Sequence, residues 1–375
     1  MLKKKVIAFG VMAISASLMV APSIQSANAA LKPDFKANAG DECLRAGKKA
    51  VGRGVNKSDL TCTKVTTGSY AGTLRWWYPD MKPLKTIDWI IPGNPGGYSL
   101  TADVVSTSLK TEGLMTEAHS MAYKAGAGGT VGLGAFQEIK GKPDAALITG
   151  IAMVGGAALA KSKLDLMDSY PVAKIMREYN AIVVPTSSKY RTLNDLLNDI
   201  NANGKNVAIV GGNAGGVDHQ IMGLLMKEKA IPVSKLNYVV LSGGTSVAAQ
   251  LLAGGVAAGI SGSTEFKPFV ESGKLRVLGV SSQKRLKSFK GKTFIEQGVN
   301  LYYGNWRGIM APADLTAAEK LNWLKVMDAL HGTPTWKAVL VANDWDDEFA
   351  AGDAYTSFLK KEIPIVNAVI KDLGL

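Results

Sequence analysis

Glycine-rich loops that each run from an apolar stretch into a helical pattern hold the residues of this chain best suited to chemistry. In the first, Trp89–Ile91 reads as a buried strand, and Pro92, Gly93, Pro95, Gly96 and Gly97 form a loop. Ser99 then reads as the N-cap of a helix carrying Leu100, Val104 and Leu109. Strand, glycine loop and helix N-terminus together aim backbone N–H groups at an anion, so Gly97, Tyr98 and Ser99 are expected to hold one end of a small carboxylate. A plain tight turn is the competing reading. Asn213, Ala214 and Gly215 precede one further helical pattern, and Ser242, Gly243 and Gly244 precede another, with Thr245 or Ser246 as N-cap. Thr149 and Gly150, at the end of an apolar run, are candidates for the same carboxylate. Asp218 and His219 fall in a first helical turn, where an aspartate also complements the helix dipole.

Other chemistries fit less well. A serine nucleophile elbow needs Gly-x-Ser-x-Gly, and both Gly259–Ser263 and Gly97–Thr101 fail at the last position. With three histidines, and no cysteine beyond Cys43 and Cys62, no metal-ligand cluster can be assembled. The formal charge is +12, but the lysines are scattered among acidic residues, which argues against nucleic acid as a partner. No cofactor is called for. Trp306 and Arg307 would suit a stacking aromatic and a carboxylate clamp. The favoured reading has Trp306 packing the interior and Arg307 at the surface, with Trp323, Trp336 and Trp345 as core.

Lys3, Lys4 and Lys5, the apolar Val6–Ala21 and the small residues Ala27 and Ala29 read as a secretory signal peptide over residues 1–30, cleaved after Ala29 or Ala30. Val6–Ala21 falls short of the ~20 residues a membrane span needs. The expected location is extracytoplasmic, in the periplasm or at the outer face of the membrane. There, an isolated cysteine pair is most simply a Cys43–Cys62 disulfide, two free thiols being the alternative. Residues 31–80 form an extension too small for a core of its own, which Trp76, Trp77 and Tyr78 are expected to pack against the main body.

From about residue 85 the chain alternates strand-like and helical segments. Candidate strands are Met115–Ala122, Ala145–Ile148, Ile182–Val184, Val207–Val210, Tyr238–Leu241 and Leu275–Val280. Thr192–Asp195 is a helix start signal, and helices are expected over Leu315–Leu330, Asp353–Leu359 and, after Pro364, Ile365–Leu373. The alternation implies an α/β protein with largely parallel pairing.

Several motifs occur in one order: Pro92–Gly97, Gly126–Leu133, Arg177–Tyr179, Gly212–His219, Asn237–Tyr238, Ser242–Gly244, Gly273–Arg276, Asn305–Gly308 and Gly352–Ala354. Over residues 85–375 this set resembles the substrate-binding component of the tripartite tricarboxylate transporter family. The resemblance implies a bilobed periplasmic-binding-protein type II fold, with two α/β domains around a ligand cleft. Lobe 1 would be residues 85–184 and 282–375 and lobe 2 residues 185–281, with crossings near Val184 and Ser281. It also implies a monomeric, non-enzymatic receptor that delivers a di- or tricarboxylate to integral-membrane permease subunits. Ala127 and Gly128 match the family's second glycine loop and would add N–H donors. Where the family commonly has a further glycine, an aromatic and an aspartate, this chain has Tyr98, Ser99 and Leu100, a departure that bears on which carboxylate is bound. A sensor receptor and, further off, an exported serine hydrolase using His219 are the competing functions.

Overall fold

Three short antiparallel strands, β1 (Lys49–Ala50), β2 (Leu60–Lys64) and β3 (Leu74–Trp77), open the chain as a small sheet pinned by a Cys43–Cys62 disulfide. The computed structural model describes residues 37–375 apart from Ser242, so the expected signal peptide and cleavage site lie outside the described residues. Trp76, Trp77 and Tyr78 are buried in one apolar cluster with Trp323, Met327 and Leu330 of the main body, as the sequence suggested. Arg75, 1% exposed, sits 3.1 Å from Glu42 and 3.6 Å from Glu112, and the Tyr78 hydroxyl donates to Asp328. The extension is thus fastened by both packing and charge.

The main body starts β4 (Asp88–Ile91), α1 (Gly97–Thr111), β5 (Ser120–Tyr123), α2 (Thr130–Gln137), β6 (Ala145–Gly150) and α3 (Ile151–Leu159). A long strand, β7 (Tyr170–Pro185), leads into α4 (Leu193–Asn203), β8 (Ala208–Gly211), α5 (Val217–Glu228), β9 (Asn237–Val240) and α6 (Gly244–Ala253). Then come β10 (Ala258–Gly262), α7 (Ser263–Glu271), β11 (Leu275–Val280) and β12 (Gly304–Ala311). The chain closes with α8 (Ala317–Gly332), α9 (Pro334–Ala342), β13 (Ala350–Ala351) and α10 (Asp353–Asp372). Helices cover a mixed sheet of order β5-β4-β6-β12-β7-β10-β8-β9, with β11 and β13 also on β7.

β7 organises this sheet because its two ends have different partners. Its Tyr170–Tyr179 stretch pairs antiparallel with β12, whereas Asn180–Val183 pairs with β10 and Ala181–Pro185 with β11. Two half-sheets therefore share one strand, and the exchange falls at Tyr179–Asn180, upstream of Val184. The other connection passes Ser281, whose N–H donates to Asn180 O at 2.9 Å and whose hydroxyl accepts from Asn180 N–H at 2.9 Å.

Several local expectations need correction. The N-cap of α1 is Gly96 rather than Ser99, and that of α6 is Gly243 rather than Thr245 or Ser246. Ser99 sits one turn in, and its hydroxyl reaches back to the Gly96 N–H at 3.0 Å. The Thr192–Asp195 capping box forms as expected. Pro364 does not divide the last helix: α10 runs through it, held by the buried stripe Tyr355, Leu359, Val366 and Ile370. β7 is much longer than Ile182–Val184. Its polar residues hide the run, yet each finds a partner, Lys174 and Arg177 both pairing with Glu348.

Candidate functional site

Side chains alternate across a strand, and this places the polar residues of β7 and β12. Glu178 and Asn180 share one face of β7, and Asn305, opposite Glu178, shares that face of β12 with Arg307. Arg177, Tyr179 and Trp306 occupy the other face, where Trp306 packs edge-on against Tyr355 and Phe358. Glu178, Asn180, Asn305 and Arg307 line a cavity of about 70 Å³ at the junction of the half-sheets. N-termini of α1 and α5 border it through Gly97, Tyr98, Val217 and Asp218, each helix following the carboxyl end of a parallel strand. The first N–H groups of a helix have no partner within it, so both ends can offer donors to this cavity.

The cavity is also acidic. Arg307, 5% exposed, donates from Nη2 at 2.6 Å and from Nε at 3.1 Å to Glu178 Oε1, and its guanidinium lies 4.3 Å over the Tyr98 ring. Burial pushes the Glu178 carboxyl up, and Arg307 pulls it back. Asp218 accepts from Gly212 N–H at 2.9 Å and from Asn180 Nδ2. Burial, opposed by the Gly212 N–H, drives its carboxyl up to about 7, with the Glu265 and Glu178 charges adding to the rise. Glu265 completes the group, accepting from Gly244 N–H and from the Ser261 hydroxyl, both at 2.8 Å.

A family described as "Tripartite tricarboxylate transporter family receptor" matches residues 115–375. The chain belongs to that receptor family. A Cupriavidus necator protein, "UPF0065 protein in gbd 5'region", is 27% identical over 202 residues, or 52% of this chain and 58% of that relative. MatC from Rhodopseudomonas palustris with bound malate superposes with a TM-score of 0.66 at 15% identity, covering 76% of this chain and 99% of that one. An R. palustris protein with adipate gives 0.68 at 17% identity, covering 77% and 97%. At such identities the likeness establishes the fold, the two-lobed one of periplasmic binding proteins. No helix among the described residues is long and apolar enough to cross a membrane.

Not every expected site residue of the receptor reaches the cavity. Gly97, Tyr98, Asn213, Asp218 and Gly243 line it; Ser242 lies outside the described residues. Ser99 is spent on capping, and Thr149 is fully buried with its hydroxyl on Met153 Sδ. Gly150 packs under Trp306 O and Arg307. His219 faces elsewhere: its Nδ1 accepts from Gly215 N–H at 3.1 Å and its ring stacks on Tyr238 at 4.2 Å. Burial holds that imidazole down at about 4, hence neutral. Arg307 corrects the surface reading outright. Alternation in Asn305-Trp306-Arg307 against Glu178-Tyr179-Asn180 was the signal that could have found this polar face.

Ala127, Gly128, Ala214, Gly215 and Gly244 do not line the cavity. A Cβ on Gly128 would lie 2.4 Å from Gly156 of α3, and one on Gly155 would lie 2.1 Å from Gly215 O. α3 is therefore wedged between the loops that lead into α2 and α5. Close by, a Cβ on Gly243 would lie 2.5 Å from Pro95 O. Gly155→Ala should prop the lobes apart at the Gly155–Gly215 contact while suiting the helix it sits in. Small-angle scattering is expected to show a larger radius of gyration with the melting temperature held; an unchanged radius would contradict this closure.

Proposed function

We propose that this receptor captures a small carboxylate between lobe 1 (residues 85–179 and 282–375) and lobe 2 (residues 180–281) and delivers it to the membrane subunits of a tripartite transporter. The observation that carries the reading is the meeting of the α1 and α5 N-termini, one from each half-sheet, at a single cavity. The MatC structure with malate and the adipate-bound neighbour support a carboxylate ligand. At about 70 Å³ the cavity is narrow, so the solute enters a wider form and its two-sided contacts favour closure. The hinge is β7 at Tyr179–Asn180 together with the Ser281 crossing. Export by the N-terminal leader places the receptor outside the cytoplasm as a monomer that docks on the permease once closed.

A thermal-shift screen of two- to six-carbon mono-, di- and tricarboxylates, amino-substituted members included, tests the ligand class. Binding to the folded state alone stabilises by RT ln(1 + [L]/Kd), about 2.7 kcal/mol at a hundredfold excess over Kd. At least one carboxylate is expected to raise the melting temperature with that dependence. If none does, the ligand class is wrong.

A further inference from the structure

Apart from Arg307, the charged side chains of the cavity are all acceptors. Three carboxylates, Glu178, Asp218 and Glu265, face one guanidinium, and Arg307 is already committed to Glu178. Asn180 and Asn305 are 2% and 3% exposed. Each turns its Nδ2 to a carboxylate, Asn180 to Asp218 and Asn305 to Glu178, which fixes the amide orientation and leaves Oδ1 as the free pole. No donor among the described residues reaches Asn180 Oδ1 or Asn305 Oδ1. A buried acceptor without a donor is costly, and two of them on residues that line one cavity call for a ligand that donates.

We propose that the solute carries a protonated amine, which enters among Glu178, Asp218 and Glu265 and donates hydrogen bonds to the side-chain oxygens of Asn180 and Asn305. The proposal rests on the receptor reading and narrows its ligand to an amino-carboxylate. Its acid end sits at the helix N-termini of α1 and α5 and its amine on the acceptor wall. A wholly acidic solute would add negative charge to a cavity where carboxylates already outnumber the cation, and would leave both amide oxygens unpaired. A bare metal ion fits poorly, because no three acidic or imidazole groups among the described residues converge on one point. An ammonium group on a carbon chain can instead meet groups spread around the wall. Arg307 does not repel it, being neutralised by Glu178 at 2.6 Å.

Calorimetric titration with matched chains decides the matter: glutarate, 5-aminopentanoate and 1,5-diaminopentane, with their three- to six-carbon homologues. Amino acids of this series are expected to bind at least about tenfold tighter than the diacid of equal length, one charge-assisted contact being worth about that factor. Diacids binding as tightly as their amino counterparts would overturn the amine and leave the carboxylate reading standing. Diamines binding where no carboxylate does would uphold the amine and sink the carboxylate reading. Silence from every amine overturns the proposal. Glu265→Gln supplies a second measure, since Gln can still accept from Gly244 N–H and keep the local fold. It should weaken the amino acid by roughly tenfold and spare the diacid; equal affinities for the amino acid in variant and parent would also overturn the proposal.

Discussion

Replacing Arg307 by alanine is expected to remove about 3–5 kcal/mol of folding stability, the usual cost of taking one partner from a buried ion pair. Arg307 and Glu178 are 5% and 4% exposed, and their contact is 2.6 Å. Without the guanidinium, the Glu178 carboxylate would face Asp218 and Glu265 with only Asn305 Nδ2 to satisfy it. Glu178 would answer by holding its proton to higher pH, so the loss should be largest at alkaline pH and shrink as pH falls through that raised value. The urea midpoint measures the effect. The paired variant Glu178→Gln with Arg307→Met removes both charges at similar volume and should recover most of the loss. If the pair is as unstable as Arg307→Ala alone, the charge argument fails, and lost packing of the guanidinium on Tyr98 is the better explanation.

How much of this site was legible beforehand depends on which signal each residue left. Glycine loops before apolar helical patterns exposed the N-termini of α1 and α5, because backbone geometry there demands small residues. What those glycines accommodate was not legible: a Cβ on Gly97 would lie 2.5 Å from Arg307 Nη2, so a buried guanidinium, not only a solute, approaches there. Charged residues in a buried strand were misread because composition assigns arginine to the surface. Only the register between β7 and β12, set by residues more than a hundred positions apart, places Arg307 against Glu178. The same limit applied to β7 itself, where polar residues broke up an apolar run whose ends serve different half-sheets. Pro364 misled for the opposite reason: a local breaker signal was overridden by the buried face of α10.

Asp218→Asn is expected to stabilise the empty receptor at pH 8 by on the order of 3 kcal/mol while changing little at pH 4. In the folded protein the Asp218 carboxyl keeps its proton up to about 7, whereas the unfolded chain releases it near the ordinary aspartate value of 3.8. Between those values the folded state binds the extra proton, so this group's contribution to stability falls as pH rises through the window and stays lost above it. Groups around Asp218 add their own dependences. Glu265 and Glu178 face it as charges, and Tyr238, itself raised by burial, lies against it. His219, held down at about 4 in the fold, works with the opposite sign, its contribution growing as pH rises from about 4 to its ordinary 6.5. For that reason the wild-type curve alone is flattened, and the test is the difference between variant and parent, in which His219 cancels. Melting temperatures recorded from pH 4 to pH 8 should diverge upward for Asp218→Asn; parallel curves would mean that Asp218 is ionised throughout. A cationic solute should then reverse the balance in the parent. Once an ammonium group meets Asp218, the ionised form gains a partner, the pH penalty shrinks, and the advantage of the asparagine variant disappears in the bound state.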